Sequence, residues 1–541
     1  MTLPLVPLPS SVESLPGDGF RLTAATLVVA DEAGTDAARA LVDLVRVRTG
    51  LELRVARPSA GGATDPATGS ATDPATASAA DPATDSATGS ASDPAIELRI
   101  DAPAAAESYR LRADAASLVV SGADAAGLFY GVQTLGQLLA PSADGWSVPP
   151  VEIDDAPRFP YRGVMLDVAR HFHDVETVRA FIDRAASLKF NHLHLHLADD
   201  QGWRLQITSR PELTERAAGT SIAGVRGGFF TTEDYRGIVA YAASRHMTVV
   251  PEIDGPGHTH AVSLAYPELS EAPVIPDDMR ERIAQSGGAA PENGSPYEGM
   301  EVGFSSLRIG EEATYDFLRD VFGELAELTP GPYLHVGGDE ALGTDAADFA
   351  VYLRRVTALV AELGKTPIAW HEAGAVTGLA SGTIGQYWSF VEPDGGSDAA
   401  ARAFVAGGGR VILSPADAVY LDMKFDADSP LGLTWAGGVT SLERAYAWEP
   451  ATVVDGIGEA QILGVEAPLW TETVPDLAAI DALVFPRIGA AAEAAWSPAV
   501  GTRQDRTYPS FRDRVAGLAP LWRALGIRFT PLPDVEWEES A

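Results

Sequence analysis

The chain has 541 residues, a formal net charge of −36 at neutral pH and no cysteine. Its length suits two or three domains. The charge argues against nucleic acid or an anionic membrane as partner, since both need a basic face; the lack of cysteine excludes disulfides, thiolate metal sites and cysteine nucleophiles. A hydrophobic share of 46% is ordinary for a globular protein with a buried core. No segment is long and apolar enough to span a bilayer. Residues 1–10 mix prolines with apolar residues and lack a basic n-region, so they do not read as a signal peptide. The expected location is the cytoplasm, or outside the cell if a leader has been removed.

Residues 1–156 read as an α+β domain. Strand patterns recur at 26–30, 51–55, 96–100 and 117–121, and 123–139 reads as a helix. Between the second and third strands, from about 64 to 95, the chain is Ala, Thr, Ser, Asp, Gly and Pro, with Asp-Pro at Asp65, Asp73, Asp81 and Asp93. Such a composition buries no core, so a disordered insertion between two strands of one sheet is expected. Asp154-Asp-Ala-Pro157 reads as a linker.

From Tyr161 short apolar runs alternate with amphipathic segments, the pattern of a parallel α/β fold. Eight strands are expected, at 163–168, 192–197, 248–253, 333–337, 367–370, 383–388, 410–413 and 461–467. Stretches such as 175–188, 234–245 and 314–328 fit as crossover helices, and 511–525 as the last helix. Eight strands favour a closed (β/α)8 TIM barrel over residues 157–541. The polar clusters follow strand ends: Asp167/Arg170, Asp199/Asp200, Glu252/Asp254/His258, Asp339/Glu340, Trp370, Trp388, Tyr420/Asp422 and Trp470/Glu472. In a barrel those ends share one face, and that face carries the active site.

The sharpest signal is His335-Val-Gly-Gly-Asp-Glu340. Two glycines let backbone approach a ligand. On a regular strand the two following carboxylates point to opposite sides, an awkward arrangement for a nucleophile and acid flanking one bond. A division of labour fits better, one protonating a leaving oxygen and the other holding substrate. An N-capping acidic pair is the structural alternative. Trp370, Trp388, Trp435 and Trp470, at or past strand ends, suit the apolar faces of sugar rings.

The chain resembles family 20 glycoside hydrolases, the β-N-acetylhexosaminidases. The resemblance is carried, in order, by Arg162-Gly-Val-Met-Leu-Asp-Val-Ala-Arg-His171, Leu193-His-Leu-His-Leu-Ala-Asp-Asp-Gln-Gly-Trp-Arg204, Pro251-Glu-Ile-Asp-Gly-Pro-Gly-His258, His335–Glu340 and Trp470-Thr-Glu472. Gly255 departs from the family's usual Met. The resemblance implies an exo-acting, retaining, substrate-assisted hydrolase of terminal N-acetylglucosamine or N-acetylgalactosamine, without cofactor. Glu340 is implied as general acid and base, Asp339 as the anion for the 2-acetamido group, and Tyr420 as donor to its carbonyl. Arg170, Asp422 and Glu472 are implied to bind hydroxyls. Trp370, Trp388 and Trp470 would wall the sugar, with Trp435 beside them. Asp199 and His258 would form a relay to Glu340, with Asp254 nearby.

His192, His194 and His196 alternate and so share one side of a strand. With Glu252, Asp254 and His258 they invite a second reading, a metal-dependent barrel amidohydrolase or deacetylase. A non-catalytic glycan-binding barrel is the third. The intact Asp339-Glu340 pair speaks against the last, and insensitivity to chelator separates the first two. No metal is expected. The expected partners are N-acetylhexosamine-containing oligosaccharides or glycoconjugates.

Overall fold

The computed structural model describes residues 2–58, 94–101, 105–143, 145–286 and 288–538. It forms two compact units, Ser10–Ala156 and Pro157–Ala541, the latter joined by the residues up to Pro9. The stretch up to Pro9 thus packs with the larger unit although it precedes the smaller one in the chain. Leu5, Val6 and Leu8 are buried. Arg514 Nη1 donates to the Leu5 carbonyl at 2.6 Å and Ser497 Oγ to the Leu8 carbonyl at 2.7 Å, so backbone as well as apolar surface holds this stretch to the larger unit.

The smaller unit is built on a seven-stranded mixed sheet. Its order is Ser11–Ser14, Val151–Asp155, Tyr109–Ala113, Leu118–Gly122, Ala95–Ile100, Leu27–Ala30 and Arg54–Ala56. The helices Thr35–Thr49 and Ala125–Leu138 complete it, the second capped by Asp124, whose side chain accepts from Gly127 N at 2.8 Å. The strands on either side of the low-complexity segment do lie in one sheet, but Leu27–Ala30 runs between them, parallel to both. The insertion expected at 64–95 lies, up to residue 93, outside the described residues.

The larger unit contains a closed barrel of eight parallel strands in chain order. These are β1 (Tyr161–Asp167), β2 (His192–His196), β3 (Thr248–Glu252), β4 (Tyr333–His335), β5 (Thr366–Trp370), β6 (Ile384–Tyr387), β7 (Val411–Leu413) and β8 (Ile462–Leu469). All eight expected strands are present. Most are buried along nearly their whole length, as strands covered on both faces must be, which explains their unbroken apolar runs. The barrel interior changes character along its axis. Tyr161, Val250, Ile368, Ile384, Ile412 and Leu463 pack as one layer. Toward the C-terminal strand ends Met165, Trp370, Tyr420, Met423 and Trp470 pack as another.

Two expectations are corrected. The helix expected at 511–525 is broken into Tyr508–Gly517 and Ala519–Ala524, because Pro520 lacks an N–H and fits only the first turn of a new helix. Strand β4 ends at His335, short of 337, because Gly337 and Gly338 adopt φ of 70° and 102°.

Candidate active site

The turn after β4 sets the geometry. Asp254, past the end of β3, accepts from Gly338 N at 3.0 Å and from Gly255 N at 2.6 Å. A Cβ on Gly337 would lie 1.5 Å from Asp254 Oδ1, so only glycine fits there. Glu340 itself takes φ of 41°. The strand rule of alternating sides therefore does not apply to Asp339 and Glu340. Both carboxylates reach one imidazole: His258 Nε2 is 3.7 Å from Asp339 Oδ2 and 3.8 Å from Glu340 Oε2. Neither is an N-cap. Asp345 caps the next helix, Ala346–Glu362, accepting from Ala347 N and Asp348 N.

The pair meets unequal surroundings. Asp339 is buried, and its Oδ1 has no protein hydrogen-bond partner. The Glu340 side chain is 46% exposed, opening into the cavity. Even so, close protein atoms desolvate its carboxyl and raise its pKa; His258 opposes the shift and Asp339 adds to it. His258 is held charged: burial disfavours the cation, but Asp199 and Asp339 outweigh it. Asp199 lies 3.2 Å from His258 Nδ1 and 2.9 Å from Arg170 Nη2. Burial would raise its pKa, but Arg170 and His258 hold it well below the usual carboxylate range.

Behind Asp199 the polar chain continues through the barrel. His196 Nε2 is 2.8 Å from Asp199 Oδ2, and His196 Nδ1 is 2.5 Å from Glu252 Oε2. His194 spans Glu252 at 3.1 Å and Glu466 at 2.9 Å. Glu466 also accepts from Tyr161 and, at 2.6 Å, from Gln386 Nε2. Carboxylates and imidazoles thus alternate from Glu466 to His258. Among the described residues four such sets lie close enough to surround a metal ion, His194–Glu252–His335 among them. Each ring nitrogen of His194 and His196 lies within 3.1 Å of a carboxylate oxygen. His192 bonds Asn191 and stacks on Tyr161.

A cavity of about 400 Å³ opens above the pair. Of the residues singled out by sequence, Arg170, Trp388, Tyr420, Trp435, Trp470 and Glu472 line it with Asp339 and Glu340. The Arg170 guanidinium lies 4.7 Å over the Trp470 ring. Burial would lower the Arg170 pKa, but Asp199 and Asp167 raise it. Burial pushes Glu472 up to about 6, against Arg170. Burial, then Glu472, raises Asp422 well above the carboxylate range. Asp422, Asp199 and His258 are buried and are not among the residues that line the cavity. Trp370 also lies beneath the pocket, its Nε1 donating to Glu252 at 2.8 Å. Both Asp422 oxygens, Glu472 Oε2 and Arg170 Nε lack protein partners, polar capacity that a polyhydroxylated ring can satisfy.

Residues 159–347 and 344–499 match the description "Glycosyl hydrolase family 20, catalytic domain", and residues 2–156 match "Glycosyl hydrolase family 20, domain 2". The chain belongs to glycosyl hydrolase family 20. A β-N-acetylhexosaminidase of Cellulomonas fimi is 38% identical, over 98% of this chain and 97% of that one. A solved family 20 β-N-acetylglucosaminidase is 56% identical with a TM-score of 0.87, covering 98% of this chain and 99% of its own. Streptomyces plicatus N-acetyl-β-hexosaminidase, solved with Thio-NAglucal, is 40% identical with a TM-score of 0.83, covering 99% and 98%.

Within this family 20 barrel, sequence reasoning missed two features. The wall formed by Met279, Arg282, Met300, Glu301 and Val302 comes from the long segment after β3, which has no strand-end signature. Glu372 accepts from Trp388 Nε1 at 3.0 and 2.9 Å through its two oxygens. A signal for it existed: Trp370-His-Glu372 repeats the Trp-x-Glu spacing of Trp470-Thr-Glu472. The departure at Gly255 has a local cause, since a Cβ there would lie 2.1 Å from the Tyr352 hydroxyl.

Proposed function

We propose that this family 20 enzyme is an exo-acting, retaining β-N-acetylhexosaminidase. It removes terminal non-reducing N-acetylglucosamine or N-acetylgalactosamine from oligosaccharides or glycoconjugates. The observation that carries the reading is the unequal carboxylate pair around His258: one buried with an unpartnered oxygen, the other open to the cavity with a raised pKa. A carboxyl with a raised pKa suits a general acid. A fixed, desolvated anion suits charge developing on a neighbouring acetamido group.

In this reading Glu340 protonates the glycosidic oxygen. The substrate's own acetamido carbonyl attacks the anomeric carbon, giving an oxazolinium intermediate, while Asp339 accepts from the acetamido N–H. Tyr420 donates to the acetamido carbonyl oxygen and aims it. Glu340, now a carboxylate, takes a proton from the water that opens the ring, so configuration is retained. Arg170, Asp422 and Glu472 bind hydroxyls, the first through its fork of donors. Trp388 and Trp470 wall the sugar, Trp370 supports them from beneath, and Trp435 stands at the rim. Asp199 and His258 set the charge facing Glu340.

Aryl β-glycosides that differ only at C2 and C4 test the proposal. The N-acetylglucosaminide should exceed the glucoside in kcat/KM by orders of magnitude, on the order of 10⁴ or more, because the internal nucleophile is absent from the latter. Comparable rates on the two would sink substrate assistance. The C4 epimer reports the preference between the two hexosamines.

A further inference from the structure

Arg487 is fully buried just before the helix Ile488–Trp496. A guanidinium taken out of water needs its donors satisfied. Main-chain carbonyls do this here. Nη2 donates to Leu421 O at 2.8 Å, to Met423 O at 2.6 Å and to Leu483 O at 3.2 Å; Nη1 donates to Thr440 O at 2.9 Å. Its Cζ lies 4.1 Å from the centre of the Phe425 ring.

Three of those carbonyls belong to the connection between β7 and β8. That connection brings Tyr420, Leu433 and Trp435 to the catalytic cavity and contains the buried Asp422. It is irregular where it turns, so its backbone groups find partners one by one. Leu421 N donates to Pro468 O at 2.7 Å, Leu433 N to Asp422 O at 2.8 Å and Thr440 N to Lys424 O at 2.8 Å. The carbonyls on either side of Asp422, those of Leu421 and Met423, are left for Arg487.

Asp422 depends on this grip. Neither of its side-chain oxygens has a protein partner, so no side-chain hydrogen bond fixes it and the flanking main chain must. Charge couples the same two residues. Burial disfavours the ionised form of both, and each opposes that effect on the other.

We propose that Arg487 is a positioning residue for sugar recognition: by gripping the carbonyls of Leu421 and Met423 it sets Asp422, and through the same segment Tyr420, where a bound ring needs them. The inference rests on the proposed reading of the pocket as a hexosaminidase site. A lysine carries the charge without the planar fork, so it cannot serve carbonyls on both sides of Asp422 in the same way.

The test is a double-mutant cycle on the full chain with an aryl β-N-acetylglucosaminide. Arg487→Lys should lower kcat/KM about tenfold in the wild-type background. Added to Asp422→Asn, in which the group to be placed is already altered, it should cost no more than about threefold. Added to Arg170→Lys, in the loop after β1, it should again cost about tenfold. Thermal melting shows whether each variant folds. If Arg487→Lys does not, Phe425→Leu carries the same cycle; it removes the ring beside the guanidinium and none of its hydrogen bonds. Its expected loss is about threefold alone and with Arg170→Lys, and none with Asp422→Asn. An equal factor in both backgrounds, or no loss in the wild-type background, overturns the positioning role. Failure of the wild type itself to cleave the aryl glycoside overturns the catalytic reading instead.

Discussion

In the proposed mechanism Asp339 and Glu340, neighbours in the chain, do different work, and kinetics can separate them. A general acid matters most when the leaving group is poor. Glu340→Gln should cost about 10²–10⁴ in kcat/KM on natural glycosides and much less on an aryl glycoside of an acidic phenol. Asp339→Asn removes the anion proposed to act on the acetamido group, so its loss should be nearly independent of the phenol. The measurement is kcat/KM for both variants across phenols of graded acidity; parallel slopes would defeat this assignment. The pair, and most of the residues around it, were legible because catalytic groups on a barrel follow strand ends. Glu372 was not, because an acid beside a tryptophan has many structural uses and only its burial under Trp388 shows this one. Trp370 was legible as an aromatic at a strand end. Its withdrawal beneath the pocket was not, since that depends on Glu252, far away in sequence.

The turn that follows β4 shows how an element places a side chain. Its two glycines take positive φ, and Asp254 fills the space a Cβ at 337 would need. Gly337→Ala should therefore do two things at once. Strain and steric clash should lower stability by about 3 kcal/mol, and displacement of the turn should cut kcat for every substrate. Thermal melting and kcat measured together check this; full activity with an unchanged melting temperature would show that the turn tolerates a side chain. The eight strands were readable because parallel strands buried on both faces are unbroken apolar runs of the right length. The early end of β4 was not, since a glycine pair continues or ends a strand according to its φ. The wall from Met279 to Val302 was also hidden: irregular backbone leaves no periodicity to read, and its position depends on the elements it crosses.

At the scale of the molecule, charge in the barrel interior links folding to pH. Burial opposes the charge on His194, but Glu466 and Glu252 hold its pKa at about 9. Glu372 keeps its proton up to about 8. In the unfolded chain these groups release their protons near about 6.5 and about 4.3. Both folded values are raised, so each contribution is complete below the unfolded pKa and is lost as pH rises through the folded one. Between about pH 6.5 and about pH 8 both losses run together, the His194 loss continues to about pH 9, and the melting temperature should fall across that window. Glu372→Gln should show a shallower fall; a flat wild-type profile would mean that these groups titrate normally. The fold class was legible from alternation and count alone. The assignment of the first nine residues was not, because backbone groups bonded to Ser497 and Arg514 leave no mark in local sequence. The alternating imidazoles and carboxylates from Glu466 to His258 have a consequence for mutation. Removing one member strands a charge on the next, so tolerated changes must arrive in compensating pairs. That part of the barrel should therefore tolerate single substitutions far less well than the exposed loops above it.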